Sequence, residues 1–395
     1  MSLEIKDELY TLKDMLDEIP DPREKRGIRY KHSDLLLLMI YAILSGFSTG
    51  VDISDYVELN FEFFQKKINL RSVPSHDTFS RILRITDFDH LANVLSKWLQ
   101  INYPEIYKEY NGYKVLHIDG KSVRAASEKS KGEAPIYLLN SQYEGSTISV
   151  YSKRIGEKTN ELGEIPDFLD MFDLEKTIVT IDAIGTNKKV IDKILSKNGN
   201  YLLQVKENQE KLYNCIKNKV QELENKNVFN SLDSSSLEET KHGRYEKIRT
   251  TMIKDTSFIY EQLGLKSFYG TIAHVAVYDK HTEKIINGVE EISDTRAYLI
   301  TNLETLSVEN MQNIKLSHWN LESQHWILDV QMNEDHSTAR RGYSVENASA
   351  LKKFCLRIKN YDEKYKNKSM KMFQYRNSLK IEELTELLFR KITNE

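Results

Sequence analysis

Residues 114–121 read KVLHIDGK and residues 177–183 read TIVTIDA, and these two stretches decide the fold. Each is an apolar run rich in β-branched residues, which predicts a strand, and each ends in an aspartate, Asp119 or Asp182. If the two strands are parallel neighbours, both carboxylates emerge at the same C-terminal edge of the sheet, where α/β proteins place their ligands. A lone aspartate at a strand end is more often a cap, so the argument for a site rests on the pair.

The segments around these strands predict a mixed sheet. The predicted order is strand 115–118, strand 136–143, strand 147–154, helix 165–172, strand 177–182, helix 188–196 and strand 201–206. Three antiparallel strands followed by two parallel strands with crossover helices form the ribonuclease-H-like plan. We therefore expect the α/β class, with a ribonuclease-H-like core built on a mixed five-stranded sheet.

Changes in periodicity predict four regions. Residues 1–110 form an N-terminal helical, DNA-binding domain, in which a turn at 74–77 precedes a helix with outward Arg81 and Arg84, as in a helix-turn-helix. Residues 111–224 form the first part of the catalytic core, 225–310 a β-rich insertion, and 311–395 the second part of the core with basic C-terminal helices. In the insertion, strands are predicted over 250–260, 268–279, 284–292 and 296–301.

The composition is that of a globular protein and excludes several classes. The chain has 395 residues, 40% of them hydrophobic, and a net charge of -3, so a nucleic-acid partner must be bound by local basic patches. The chain has two cysteines, Cys215 and Cys355, which are too few for a disulfide framework. Free thiols fit a reducing compartment, so we expect the protein in the cytoplasm. The longest apolar run, 35–44, is too short to span a bilayer, and we expect no membrane association.

A third acid is predicted on a helix over residues 316–329. At helical spacing, His318, Glu322, His325 and Asp329 share one face, whereas Trp319 and Trp326 share another. Three carboxylates without cysteine suit Mg²⁺ or Mn²⁺, and two such ions about 4 Å apart support phosphodiester cleavage. The alternatives are a core helix with a solvated polar face and a zinc site of His318, Glu322 and His325.

Taken in order, these motifs resemble those of the DDE transposases of bacterial insertion sequences, in the ISAs-type branch that includes the H-repeat-associated proteins. The resemblance rests on HIDGKS at 117–122, TIDA at 180–183, KENQ at 206–209, HGR at 242–244, HWNLE at 318–322 and HWILD at 325–329. N-terminal motifs contribute as well: DPR at 21–23, KRG at 25–27 and PSHDTFSR at 74–81. The similarity extends nearly from end to end.

The resemblance implies that Asp119, Asp182 and Glu322 are the catalytic acids and the ligands of Mg²⁺ or Mn²⁺. Asp182 and Glu322 are 140 positions apart, more than a bare ribonuclease-H-like core needs, and related transposases carry a β-rich insertion here. Better-known relatives surround the third acid with Tyr, Arg and Lys where this chain has Lys315, His318 and Asp329. Asp329 and Glu334 therefore remain alternatives to Glu322.

Predicted DNA contacts surround these acids. Lys206 ends the strand beside that of Asp182 and can bind a phosphate, although a merely exposed lysine at a helix start is an equal alternative. The full set is Lys121, Arg124, Lys206, Asn208, Gln209, His242, Arg244, His318, His325, Arg81 and Arg84. Basic residues alternate with aromatic ones near the C-terminus, which favours a DNA-binding surface there over a solvated face: Lys352, Lys353, Arg357, Lys359, Lys364, Lys366, Lys368, Lys371 and Arg376.

The expected function is that of a DDE transposase. It cleaves DNA at transposon ends and transfers the 3′-hydroxyl into target DNA, and its partners are double-stranded DNA, as terminal inverted repeats and target, and a second copy in a homodimeric synaptic complex. We expect it in the bacterial cytoplasm, at the nucleoid. Two alternatives are a domesticated or inactive transposase-derived DNA-binding protein and a nuclease that cuts without joining.

Overall fold

The structure is a computed structural model that describes residues 11–26, 28–103, 108–123, 136–144, 151–155, 161–182, 186–241, 243–264, 267–286, 289–334 and 341–390. The chain divides into two compact units. The first unit comprises Met1–Tyr107, Lys121–Glu157 and Glu322–Glu395, and the second comprises Lys108–Gly120 and Lys158–Leu321.

The helices are α1 (Leu12–Asp17), α2 (His32–Leu44), α3 (Gly50–Leu59), α4 (Phe61–Ile68), α5 (His76–Ile85), α6 (Phe88–Asn102), α7 (Glu161–Leu169), α8 (Lys188–Ser196), α9 (Glu210–Asn225), α10 (Ser257–Leu263), α11 (Val308–Trp326), α12 (Ser344–Tyr361), α13 (Met370–Leu379) and α14 (Ile381–Leu388). The strands are β1 (Glu109–Tyr110), β2 (Tyr113–Val123), β3 (Ile136–Tyr143), β4 (Tyr151–Ile155), β5 (Thr177–Ile181), β6 (Asn200–Val205), β7 (Ser234–Lys241), β8 (Arg244–Ile253), β9 (His274–Ile286) and β10 (Val289–Thr301). A π-helical turn, Ile327–Gln331, follows α11 directly.

The first unit has a helical core centred on α2. Nearly every residue of α2 is buried, as expected for a helix that is apolar on all sides. The C-terminal helices share this core with the N-terminal ones. Long-range hydrogen bonds join them: the Tyr41 hydroxyl donates to Thr385 Oγ1 at 2.8 Å, and Asn377 Nδ2 donates to the carbonyl of Leu44 at 3.0 Å. The same unit contains the antiparallel pair β3 and β4.

The second unit is built on a curled mixed sheet. β2 is parallel to β5, and β5 is parallel to β6. The sheet continues beyond β6, because β10 pairs with β6 antiparallel and is followed by β9, β8 and β7. The strands of the predicted insertion therefore extend the sheet of the core. Met311 and Ile314 of α11 pack on the face of the sheet that carries Val115 and Ile178.

The predicted α/β class is confirmed, and several element boundaries are wrong. The strand predicted over 250–260 ends at Ile253, and α10 follows it. The stretch 284–292, predicted as one strand, contains the end of β9 and the start of β10. The helix predicted over 165–172 is α7, which begins earlier, at Glu161, and ends at Leu169 with Pro166 inside it. β7 was missed because its sequence, SSSLEETK, has one apolar residue.

No helix within the described ranges has the length and apolar character needed to cross a membrane.

Gly342 gives a test of the packing in the first unit. Its φ is +55°, and a Cβ there would lie 2.3 Å from the carbonyl oxygen of Arg84, which also accepts a hydrogen bond from the Tyr343 N–H at 3.1 Å. We expect Gly342→Ala to lower the free energy of unfolding by roughly 2 kcal/mol more than Gly46→Ala. Gly46 is a matched control, because its φ is +94° but its nearest neighbour is the Gln374 side chain at 3.4 Å. Urea unfolding measures both, and equal losses would contradict the close contact with Arg84.

Candidate active site

Asp119 and Asp182 leave neighbouring strands side by side. In the parallel pairing of β2 with β5, His117 is opposite Thr180 and Ile118 is opposite Ile181, so the next position on each chain is an aspartate. Because side chains alternate along a strand, both carboxylates lie on the sheet face that carries His117 and Thr180. Both aspartates are partly exposed, and the Asp182 side chain retains 48% of its accessible surface.

Lys206 lies beside this pair. It directly follows β6, and its Nζ is 3.4 Å from Asp182 Oδ1. The lysine side chain is 53% exposed, and an ion pair as exposed as this contributes about 0–1 kcal/mol. The ammonium is therefore held weakly and can exchange the carboxylate for another anion. Asn208 and Gln209 lie in the short 3-10 turn that comes next, with Asn208 exposed and Gln209 partly so.

A buried layer of imidazole and hydroxyl groups lies directly behind the aspartates. His117 Nδ1 is 2.6 Å from Thr180 Oγ1, and the same hydroxyl is 3.0 Å from Nδ1 of His318 on α11. Ser317 Oγ, also on α11, is 3.0 Å from His117 Nε2. His117, Thr180 and His318 are 2%, 4% and 7% exposed, so the layer excludes bulk water.

The electrostatics around His318 link it to the carboxylate pair. Burial lowers the pKa of His318 far below that of a free imidazole, and the nearby His117 and Lys315 lower it further. The charges of Asp119 and Asp182 act in the opposite direction, which places both carboxylates within electrostatic range of the ring. Lys315 is itself 7% exposed, and its Nζ donates to Gln204 Oε1 at 2.8 Å. The ring of His318 is therefore neutral near pH 7.

The predicted third acid belongs to the same helix as His318. Glu322 follows His318 by four residues in α11, one helical turn further along the chain. The side chains of Glu322 and His325 lie outside the described part of the chain. The alternative Asp329 lies in the π-helical turn and is partly exposed, whereas Glu334 is 4% exposed.

The other predicted DNA contacts are spread over both units. Arg81 and Arg84 are exposed on α5. Arg244 begins β8, and its guanidinium is 2.6 Å from Glu246. Lys121 belongs to β2, but its side chain lies outside the described residues, as do Arg124 and His242 entirely. The burial of His318 argues against the direct DNA contact predicted for it.

The prediction of a DNA-binding surface near the C-terminus is wrong for some of its residues. Lys352, Lys353 and Arg357 are 3%, 9% and 4% exposed, because α12 runs through the core of the first unit. Burial lowers the pKa of Arg357. The aromatic residues Phe354 and Phe373 are buried too and cannot stack on bases. The charged groups are buried together with their stems, and Lys352 Nζ donates to the carbonyl of Asn333 at 3.1 Å.

The donor set suits a hard divalent cation. Two neighbouring carboxylates that face solvent offer oxygen ligands of the kind that Mg²⁺ and Mn²⁺ prefer. Among the described side chains, which do not include that of Glu322, no three His, Cys, Asp or Glu groups converge on one metal position. Cys215 and Cys355 are free thiols, and both are buried.

Comparison with known proteins gives the family of this fold and site. A family model described as "Transposase DDE domain" matches residues 110–358, and one described as "DDE_Tnp_1-associated" matches residues 13–99. "Putative transposase YncI" of Escherichia coli O157:H7 is 30% identical over 359 residues, which cover 89% of this chain and 87% of the relative. "Putative protein YbfL" and "H repeat-associated putative transposase YhhI", both of Escherichia coli (strain K12), are each 29% identical over 368 residues, 91% of this chain and 93% of the relative.

The fold and the match over most of the chain define a transposase with a DDE domain. Within that class, the chain belongs to the DDE transposases of the H-repeat-associated type. The predicted family is thereby confirmed.

The low pKa of His318 predicts a pH dependence of stability. The unfolded chain takes up a proton at this residue below about pH 6.5, but the folded chain does not, so the stability present above that pH declines as the pH falls. We expect the slope of unfolding free energy between pH 6.5 and 5 to be steeper in the wild type than in His318→Asn, by up to ~1.4 kcal/mol per pH unit. Urea unfolding at several pH values measures the slopes. Identical slopes, or an imidazole NMR signal that titrates near pH 6.5, would rule out the buried neutral ring.

Proposed function

We propose that this transposase cleaves DNA at the ends of its element in a metal-dependent reaction and joins the freed 3′-hydroxyl to target DNA. The observation that supports this most is the register of β2 and β5, which sets Asp119 and Asp182 side by side at one edge of the sheet. We further propose that β2, β5 and β6, with the hairpin of β3 and β4, form a ribonuclease-H-like core of five strands.

Asp119 and Asp182 would hold Mg²⁺ or Mn²⁺, with Glu322 of α11 as the third acid. A bound divalent ion would activate the attacking water or 3′-hydroxyl and stabilise the leaving oxygen. The partial exposure of both aspartates leaves their carboxylates open to a phosphodiester. Lys206 supplies a positive charge at the same edge, 3.4 Å from Asp182, where it can bind a phosphate that approaches the carboxylates.

DNA is the proposed partner along more than one surface. The exposed Arg81 and Arg84 on α5 suit contacts with the phosphate backbone of the terminal inverted repeats, and Arg244 suits a contact from the sheet extension. Concerted joining of two ends requires that both be held together, so we propose a homodimer in a synaptic complex. Its place of action would be the bacterial nucleoid, in the cytoplasm.

Loss of one carboxylate should separate chemistry from binding. We expect Asp119→Asn to lower the rate of metal-dependent cleavage by about 100-fold or more and to leave DNA binding nearly unchanged, because it removes the charge of a metal ligand and no phosphate contact. The assay uses duplex DNA with the sequences that flank the gene, with Mg²⁺ or Mn²⁺. Asp192→Asn on α8 is the matched control, since Asp192 is 53% exposed and pairs with Lys188.

The same assay distinguishes the alternatives. Products lost in Glu322→Gln but retained in Asp329→Asn and Glu334→Gln would support Glu322 as the third acid, and the reverse would transfer that role. Cleavage without joined product would favour a nuclease. DNA binding by the wild type without any metal-dependent product would favour the domesticated DNA-binding protein and contradict the proposed reaction.

The charge of Lys206 should register in the salt dependence of binding. We expect Lys206→Gln to weaken binding across sequences and to reduce the slope of log K against log salt by about 1, the value for one phosphate contact. Lys188→Gln is the control, because Lys188 is 62% exposed on α8 and pairs with Asp192 at 3.7 Å. Fluorescence anisotropy at several salt concentrations gives both slopes. If both variants reduce the slope of log K against log salt by the same amount, Lys206 does not contact a DNA phosphate.

A further inference from the structure

We propose that His117, Thr180 and His318 form a positioning layer, which fixes the positions of the catalytic acids. The Thr180 hydroxyl is the central group of this layer. This inference rests on the proposed function, because it assigns a role relative to Asp119, Asp182 and Glu322. It concerns residues that contact neither the metal nor the DNA in the proposed reaction and act only through the elements that carry the acids.

The first argument is register. His117 precedes Asp119 by two residues in β2, and Thr180 precedes Asp182, the residue that directly follows β5, by two residues. His318 precedes Glu322 by four residues in α11. Two residues in a strand and four in a helix are the repeats that return a side chain to the same face. Each member of the layer therefore lies one repeat before a proposed acid along the chain.

The second argument is the hydrogen-bond geometry. Thr180 Oγ1 lies 2.6 Å from Nδ1 of His117 and 3.0 Å from Nδ1 of His318, so one hydroxyl joins β2, β5 and α11 at a single point. A hydroxyl has one proton, so it can donate to only one of the two Nδ1 atoms, and the other Nδ1 must itself donate to the hydroxyl oxygen. Ser317 Oγ adds a second link from α11 to His117, at 3.0 Å.

The third argument is burial. The three side chains are at most 7% exposed, so water cannot replace a lost hydrogen bond there. Loss of one partner therefore leaves the other group buried and unsatisfied, which destabilises this arrangement. An active site requires its groups within about 0.5 Å of the productive geometry, and that precision depends on locked neighbours behind the ligands. The rings of His117 and His318 also contact each other, with centroids 5.5 Å apart, which restricts the helix further.

A purely structural role would predict a different outcome from a positioning role. If the layer only stabilises the fold, removal of the Thr180 hydroxyl lowers the melting temperature and leaves metal affinity unchanged once the protein is folded. If it positions the acids, the folded variant binds metal more weakly and cleaves more slowly. Substitution of a residue that supports a metal ligand in this way typically lowers metal affinity or activity by about 10–100-fold.

The experiment compares Thr180→Val, which removes the hydroxyl at nearly constant volume, with Thr180→Ser, which retains it. Thr256→Val is the matched control, because Thr256 is a buried threonine of the second unit whose hydroxyl donates to the carbonyl of Ile272 at 2.9 Å. All variants are assayed as full-length protein well below their melting temperatures. The readouts are Mn²⁺ binding by electron paramagnetic resonance, the Mg²⁺ concentration at half-maximal cleavage, and DNA binding.

We expect Thr180→Val to weaken Mn²⁺ binding and to raise the half-saturating Mg²⁺ concentration by about tenfold or more, with DNA binding unchanged. Thr180→Ser should return both values close to wild type, and Thr256→Val should leave them unaffected. Folded Thr180→Val with wild-type Mn²⁺ binding and cleavage would overturn the positioning layer while the proposed reaction stands. If wild-type protein neither binds Mn²⁺ through Asp119 nor cleaves DNA, the proposed function itself fails, and the layer fails with it.

Discussion

The parallel pairing of β2 with β5 is the constraint on which the rest of the structure depends. It sets His117 opposite Thr180, and through the strict alternation of side chains it also sets the two aspartates side by side on the same face. A shift by one residue would turn one aspartate to the opposite face of the sheet and remove Thr180 from its two imidazoles. The buried hydrogen bonds therefore specify the register, and the register gives the site its geometry.

The sequence predicts those parts of the molecule in which one pattern dominates. Apolar β-branched runs that end in aspartate identify β2 and β5, and their pairing follows from the topology. What the sequence does not show is the sheet beyond β6, since pairing of β6 with β10 joins residues about a hundred positions apart. The polar edge strand β7 carries too few apolar residues for a periodicity to be detected.

The site shows the same division. Asp119, Asp182 and Lys206 can be found from strand ends alone, because parallel strands bring their C-terminal ends together. The role of Thr180 cannot, since a threonine inside an apolar strand is an ordinary β-former until the helix that covers it is known. The three cations on α12 mislead in the opposite direction. Their charge indicates a surface, but all three are at most 9% exposed, and Lys352 donates to a backbone carbonyl inside the first unit.

The hydrogen bonds that join the two ends of the chain have a consequence for synthesis. Tyr41 is hydrogen-bonded to Thr385, and Leu44 to Asn377. The core around α2 is therefore complete only when more than three hundred further residues have left the ribosome. Until then the apolar helix α2 lacks the part of its cover that the C-terminal helices supply. Contacts this distant in sequence slow folding and leave apolar surface open to association. A transposase chain that ends before these C-terminal helices therefore cannot complete the core of its first unit.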